Sequence, residues 1–245
     1  MGRHAEVVAR ARLDTHGLVV ADLGCGEGRL VRALLEHDPS PVLVHAVDQV
    51  SALDDDLLQD IRVRSRIADL DARLPLADAA VDRVVSLNVA EHLADPAGHL
   101  LECHRVLRPG GYLVLAHSDW DTALFTSTDD ALTRRLVDRF VEVVPRGAGR
   151  ADGFMGRKLL ALADAAVDRG AAFDTVEVAA WADAHRRFDE GSVAWKVATG
   201  VLAATQDDAE LAARAAGWVE GLRRLAGAGQ FLFTVTDVAV VLRRA

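Results

Sequence analysis

Cysteine is nearly missing. The 245 residues contain two, Cys25 and Cys103, far apart and outside any CxxC or His/Cys cluster. That indicates neither a disulfide framework nor a zinc site, and it suits a reduced compartment. Long hydrophobic runs are missing as well: 51% of residues are hydrophobic, yet no stretch approaches the roughly 20 apolar residues of a membrane-spanning helix. The start, Met1-Gly2-Arg3-His4-Ala5-Glu6, has no signal-peptide core. A soluble, cytoplasmic protein without membrane association is expected. Positive charge is in deficit, with 28 Lys and Arg against 37 Asp and Glu for a net charge of −9. A nucleic acid calls for basic side chains concentrated on a face, so a small neutral or cationic ligand is the better partner. The length suits one α/β core with an elaboration, as a monomer or homodimer, because single cores stop growing near about 250–300 residues.

The first half alternates short apolar runs with helical patterns, the signature of βαβ units and a parallel sheet. Strands are expected over Leu18–Leu23, Val42–Val47, Ile61–Ile67, Val81–Leu87 and Tyr112–His117, and helices over Arg29–His37, Val50–Gln59 and Pro96–Leu107. Asp95-Pro96 reads as an N-cap with proline at the first helical position, and Arg108-Pro109-Gly110-Gly111 as a turn. After His117 a polar stretch follows, then helices over Asp130–Val144 and Arg157–Asp168 and a strand over Phe173–Ala180. Two more helices, Glu190–Ala203 and Asp207–Leu225, precede a last strand, Phe231–Leu242. Those two exceed what a compact connection needs and read as a cap over the ligand edge of the sheet. The chain thus divides into a cofactor-side half, 1–117, and a substrate-side half, 118–245, with a helical insertion at about 189–226, inside one domain.

Chemistry concentrates at Asp22-Leu23-Gly24-Cys25-Gly26-Glu27-Gly28, between a strand and a helix, where the backbone must turn sharply and admit a ligand closely. The spacing is G-x-G-x-G, whereas a dinucleotide fingerprint runs G-x-G-x-x-G and seats a pyrophosphate. Asp22 and Glu27 would repel that pyrophosphate by roughly 1–4 kcal/mol for a close charge pair, and would favour a phosphate-free cation. Asp48, about 20 residues on, stands where an acid can accept from both ribose hydroxyls, a demand that NAD and S-adenosylmethionine share. Asp69 follows the third strand and can accept from the amine of an adenine.

With these segments in hand, the chain resembles the class I, Rossmann-like S-adenosylmethionine-dependent methyltransferases, in particular the small-molecule group similar to ubiquinone and menaquinone methyltransferases. The matching segments are Val20–Gly28, Ala46-Val47-Asp48, Ile67-Ala68-Asp69-Leu70, Ala80–Asn88 and Arg105–Gly111, in order, over about residues 18–117. The resemblance implies a seven-stranded, doubly wound, mostly parallel α/β sheet of order 3-2-1-4-5-7-6, its last strand antiparallel. It also implies a cofactor site of Asp22, Gly24, Cys25, Gly26, Asp48, Gln49, Asp69, Leu70 and Asn88. Asp119-Trp120-Asp121-Thr122 and Phe231–Asp237 resemble one branch of the group, whose substrates are diverse.

Methyl transfer is an in-line displacement with a neutral leaving group, so alignment comes first and a base second. After the fifth strand, His117 could accept a proton, and Asp119 or Asp121 could orient an amine or hydroxyl; each could equally cap an element. Glu91-His92 could face the site or solvent. Arg146, Arg150 and Arg157 could receive a carboxylate or merely solubilise a loop, and Asp54-Asp55-Asp56 reads as a solvated helix start. His99 and His104 lack a partner acid at metal-ligand spacing and read as surface or packing residues, while Trp181, Trp195 and Trp218 read as cap core, with Trp195 or Trp181 lining the substrate pocket as the alternative. No metal is expected. The expected activity is methyl transfer to an O, N or C nucleophile of a small metabolite. The alternatives are an NAD-type oxidoreductase and a non-catalytic binder of adenosyl ligands.

Overall fold

The computed structural model describes residues 2–50, 52–143, 145–146, 149–150 and 152–245. Its elements, in chain order, are α1 (Arg3–Arg10), β1 (Val19–Leu23), α2 (Arg29–Leu35), β2 (Leu43–Asp48), α3 (Asp55–Gln59), β3 (Val63–Ile67), β4 (Val81–Leu87), a 3-10 turn (Ala90–His92), α4 (Pro96–Val106), β5 (Leu107–Phe125), α5 (Asp130–Val143), the two-residue strands β6 (Pro145–Arg146) and β7 (Gly149–Arg150), α6 (Met155–Asp168), β8 (Phe173–Ala182), α7 (Val193–Ala204), α8 (Ala209–Gly227) and β9 (Phe233–Arg244). The main sheet runs β3-β2-β1-β4-β5-β9-β8. With the β6–β7 pair set aside, this is the expected order 3-2-1-4-5-7-6. The first five strands pair in parallel. Around β9 the partners run in opposite senses: Thr126 N–H donates to Leu232 O, and Thr236 N–H to Thr122 Oγ1.

The chain forms two compact units. The first comprises residues 1–117, 157–180 and 238–245. Its central strands read as almost continuous apolar runs because both faces are covered: Val20 to Leu23 in β1, Val44 to Val47 in β2, and Val84 and Val85 in β4 are buried. At the β3 edge only Val63 is buried, so alternation fades there. The Arg108–Gly111 turn is present as a bulge: Val81 pairs with Leu107, and the register resumes at Arg83 with Tyr112. α1 lies ahead of every element the pattern marks. Its end is held by Arg83, whose largely buried guanidinium donates to the carbonyls of Ala11 (2.8 Å) and Arg12 (2.8 and 3.1 Å) and lies 4.9 Å from the Tyr112 ring centre. Arg83→Met, which strips several charge-assisted bonds at once, is expected to lower stability by about 2–3 kcal/mol in urea unfolding. An unchanged midpoint would show these bonds to be idle.

The second unit comprises residues 118–156 and 181–237. Its core joins Phe125, Leu136, Phe140, Val201, Trp218 and Phe233. Trp218 packs edge-on against Phe125 at 5.0 Å and donates from Nε1 to Thr133 Oγ1 at 3.0 Å, so it is core as expected. Trp195 meets Phe188 and carries Arg223 over its ring.

Most element ends shift by a few residues, and two regions differ more from expectation. The helix expected over Val50–Gln59 is only α3, because Asp54 is extended and starts the helix late. Asp54 and Asp56 are paired to Arg32 at 2.7 and 2.5 Å rather than merely solvated. The strand expected to end at His117 continues through the polar stretch as far as Phe125. Its polar groups find partners remote in sequence, so polarity there does not mean exposure. Neither Asp119 nor Asp121 starts α5; Asp129 does, accepting from Leu132 N–H at 2.8 Å.

Candidate functional site

The turn after β1 is pinned to β2. Gly24 and Cys25 both donate their N–H to Val47 O, at 2.8 and 3.2 Å, and Gly26 N–H donates to Asp48 Oδ2 at 2.8 Å. All three glycines of the turn have positive φ, +82° at Gly24, +49° at Gly26 and +80° at Gly28. Asp48 at the end of β2 therefore also fastens the turn. Its other oxygen lies 3.4 Å from Val50 N–H.

Asp22 is 1% exposed, and its Oδ2 has no hydrogen-bond partner among the described residues. Burial, and then the nearby Asp48 charge, push its carboxyl up to about 8. The same surroundings, with Asp22 and Asp48 adding to burial, push the Cys25 thiol up to about 12, so it is a protonated, unreactive group. Glu27 is a correction. Its side chain is 59% exposed and paired with Arg29 at 3.1 Å, so the acids of the turn that face inward are Asp22 and Asp48.

At the following strand ends, Asp69 is exposed and its Oδ1 accepts from Asp71 N–H at 3.0 Å, while Leu70 is buried. Gln49 is exposed. Asn88 ends β4 in the left-handed region, φ +58°, donating its N–H to Ala116 O at 3.0 Å. In the first unit the C-terminal ends of β1, β2, β3 and β4 thus gather Asp22, the glycine turn, Asp48, Asp69 and Asn88 along one sheet edge, where open α/β sheets bind ligands.

His117 is fully buried, with Nε2 3.7 Å from Glu91 Oε1; Glu91 is 4% exposed and therefore turned inward. The second unit holds Asp119, 3% exposed, and Asp121, paired with Arg134 at 2.7 Å. Ser118 Oγ donates to the buried Asp237 at 2.6 Å. The sequence does not point to Glu91 as a partner of His117, to Asp237 as a buried acid or to Val89 as the side chain that a Cβ at Gly24 would strike. Only the acid-histidine pair Glu91-His92 offered a signal. The side chains of Arg146 and Arg150 lie outside the described residues. His99 and His104 are packing groups rather than surface ones: His99 is 3% exposed, and His104 meets the Phe173 ring edge-on at 5.1 Å.

The residues present fit a phosphate-free cation carrying a ribose. An orphaned buried carboxylate oxygen sits beside a second acid, and the turn offers no basic side chain to a phosphate. Among the described residues no His, Cys, Asp and Glu group of three or more could hold a metal, and no helix is long and apolar enough to cross a membrane.

Comparison with known proteins agrees with this geometry. Residues 21–115 match the methyltransferase-domain family. A protein of Mycolicibacterium smegmatis named a probable S-adenosylmethionine-dependent methyltransferase is 37% identical over 120 residues, 46% of this chain and 43% of that one. A ubiquinone biosynthesis O-methyltransferase of Xanthomonas oryzae pv. oryzae is 33% identical over 144 residues, 56% of each chain. The chain spans about half the length of the curated relatives it matches. The S-adenosylmethionine-dependent methyltransferase of Mesorhizobium loti shares the fold, with a TM-score of 0.52 at 19% identity over 98% of this chain and 96% of that one.

Proposed function

We propose, from the premise that residues 21–115 are a methyltransferase domain of the class I, Rossmann-like, S-adenosylmethionine-dependent family, that the chain transfers a methyl group from S-adenosylmethionine to an O, N or C nucleophile of a small metabolite. The buried, unpartnered Oδ2 of Asp22 carries this reading. It asks for a positive charge and suits neither a pyrophosphate nor an empty core position, which argues against an NAD-type oxidoreductase.

Bound S-adenosylmethionine supplies an electrophilic methyl on a sulfonium. Asp22 would meet the methionine ammonium, Gly24, Cys25 and Gly26 would line its backbone, and Asp48 with Gln49 would take the ribose hydroxyls. Asp69, Leu70 and Asn88 would flank the adenosyl group. His117 would take up the acceptor's proton, where it has one. Glu91 beside His117 would stabilise the imidazolium that results. Asp119 would orient an acceptor amine or hydroxyl; Asp121 could do so only by yielding part of its pairing with Arg134. Residues 1–117 would form the cofactor side and 118–245 the acceptor side, with α7 and α8 as its cap, in a cytoplasmic enzyme acting as monomer or homodimer.

Calorimetry with S-adenosylmethionine tests this directly. Asp48→Ala, which removes ribose acceptors and a tie to the turn, is expected to weaken binding about 10- to 100-fold, the usual size for losing charge-assisted hydrogen bonds. Wild-type protein that prefers NADH to S-adenosylhomocysteine would refute the proposal.

A further inference from the structure

Between β3 and β4, residues 68–80 contain no helix, and the segment is laced onto α4 instead. Asp71 accepts from Ala94 N–H at 2.9 Å and Asp95 N–H at 3.1 Å. Glu102 accepts from Leu74 N–H at 2.9 Å, and Arg105 donates to Leu74 O at 3.1 Å and Leu76 O at 2.9 Å. His99 completes the set, its Nδ1–H donating to Leu70 O at 2.9 Å. His99, Glu102 and Arg105 recur every third residue and so share one face of the helix.

His99 differs from the other two in burial and in what it grips. At 3% exposure, a bond lost there is not replaced by water. The carbonyl can only accept, so Nδ1 carries the proton. Nε2 has no hydrogen-bond partner among the described residues, and burial lowers the ring's pKa against the opposing pull of Asp71 and Glu102, so the ring is neutral. The peptide it holds is that between Leu70 and Asp71. The N–H of the same peptide donates to Asp69 Oδ1 at 3.0 Å. His99 and Asp69 therefore grip opposite ends of one peptide plane, and rotating that plane would swing the Asp69 carboxylate.

We propose that His99 is a positioning residue for adenine recognition: by fixing the Leu70–Asp71 peptide it aims Asp69 so that Oδ2 meets the exocyclic amine of the adenosyl base. This rests on the cofactor reading given above. The test compares S-adenosylhomocysteine with S-inosylhomocysteine, whose base carries a carbonyl in place of the amine, by calorimetry. Wild type is expected to prefer the adenine ligand at least about 10-fold, the size of a hydrogen bond to a charged acceptor. In His99→Leu the preference shrinks to within about 3-fold, whereas His99→Asn, whose amide can donate to the same carbonyl, keeps most of it. His99→Phe removes the donor while keeping a ring, and stands in should the leucine variant fail to fold. A folded Leu or Phe variant with wild-type preference, or a folded Asn variant without it, overturns the inference. Wild type that binds neither ligand overturns the cofactor reading instead, so the two failures are separable.

Discussion

Asp22→Asn is expected to make the protein harder to unfold and poor at holding S-adenosylmethionine. The carboxyl ordinarily titrates near 3.8 but is held at about 8 in the fold, by burial first and Asp48 second. Its folded pKa is raised, so the native state binds more protons than the unfolded state between those values, and stability falls as pH rises through that window. The loss accumulates at about 1.4 kcal/mol per pH unit and levels off above about pH 8. Asparagine has the same shape and no charge to desolvate. The variant should therefore gain a few kcal/mol over wild type at pH 8 and nothing below pH 4, which melting curves across that range would show. Binding responds in the opposite sense. A cation beside Oδ2 favours the ionised carboxylate, so wild type takes up ligand with release of a proton, and affinity climbs with pH up to about 8 before levelling. The variant loses that slope and at least about 10-fold in affinity. A melting difference that is the same at pH 4 and pH 8 would contradict the stability half, and a wild-type affinity flat between pH 6 and 8 the binding half.

The sequence shows most clearly what is local. β1, β2 and β4 are apolar runs bounded by turn residues, and Pro96 behind Asp95 marks the start of α4, where Asp95 indeed accepts from Gly98 N–H at 3.0 Å. Asp48 is legible from its distance past the glycine turn. The strand order is legible only through resemblance, since nothing within a strand names its neighbour. What stays hidden depends on partners far along the chain. Ser118 looks like a loop residue until it meets Asp237, 119 positions away, and Arg83 looks like a surface charge until its guanidinium reaches the end of α1, about 70 positions back. His99 has no metal-ligand partner in the sequence pattern; its partner is the Leu70 carbonyl, which no side-chain pattern reveals.

Gly24 and Gly26 are expected to fail differently when each is replaced by alanine. A Cβ at Gly24 would lie 2.1 Å from Val89 Cγ2, and its φ of +82° is one that L side chains rarely adopt. Left-handed strain of about 1–2 kcal/mol and overpacking of about 1–3 kcal/mol together predict a stability loss of about 2–5 kcal/mol. Val89→Ala makes room for the added methyl but leaves the backbone strain. The double variant should therefore unfold later than Gly24→Ala alone and earlier than wild type, with a coupling of about 1–3 kcal/mol between the two positions. Gly26 has open space where its Cβ would stand, and its φ of +49° is less demanding. Gly26→Ala should cost only about 1 kcal/mol of stability. Its methyl would instead project into room through which a ligand approaches the turn, so affinity for S-adenosylhomocysteine should fall about 10-fold or more while the fold persists. Gly24 then serves the packing of the turn and Gly26 the approach of the ligand. A Gly26→Ala protein with wild-type affinity would place the ligand elsewhere, and a Gly24→Ala protein unmoved by Val89→Ala would assign its whole loss to the backbone.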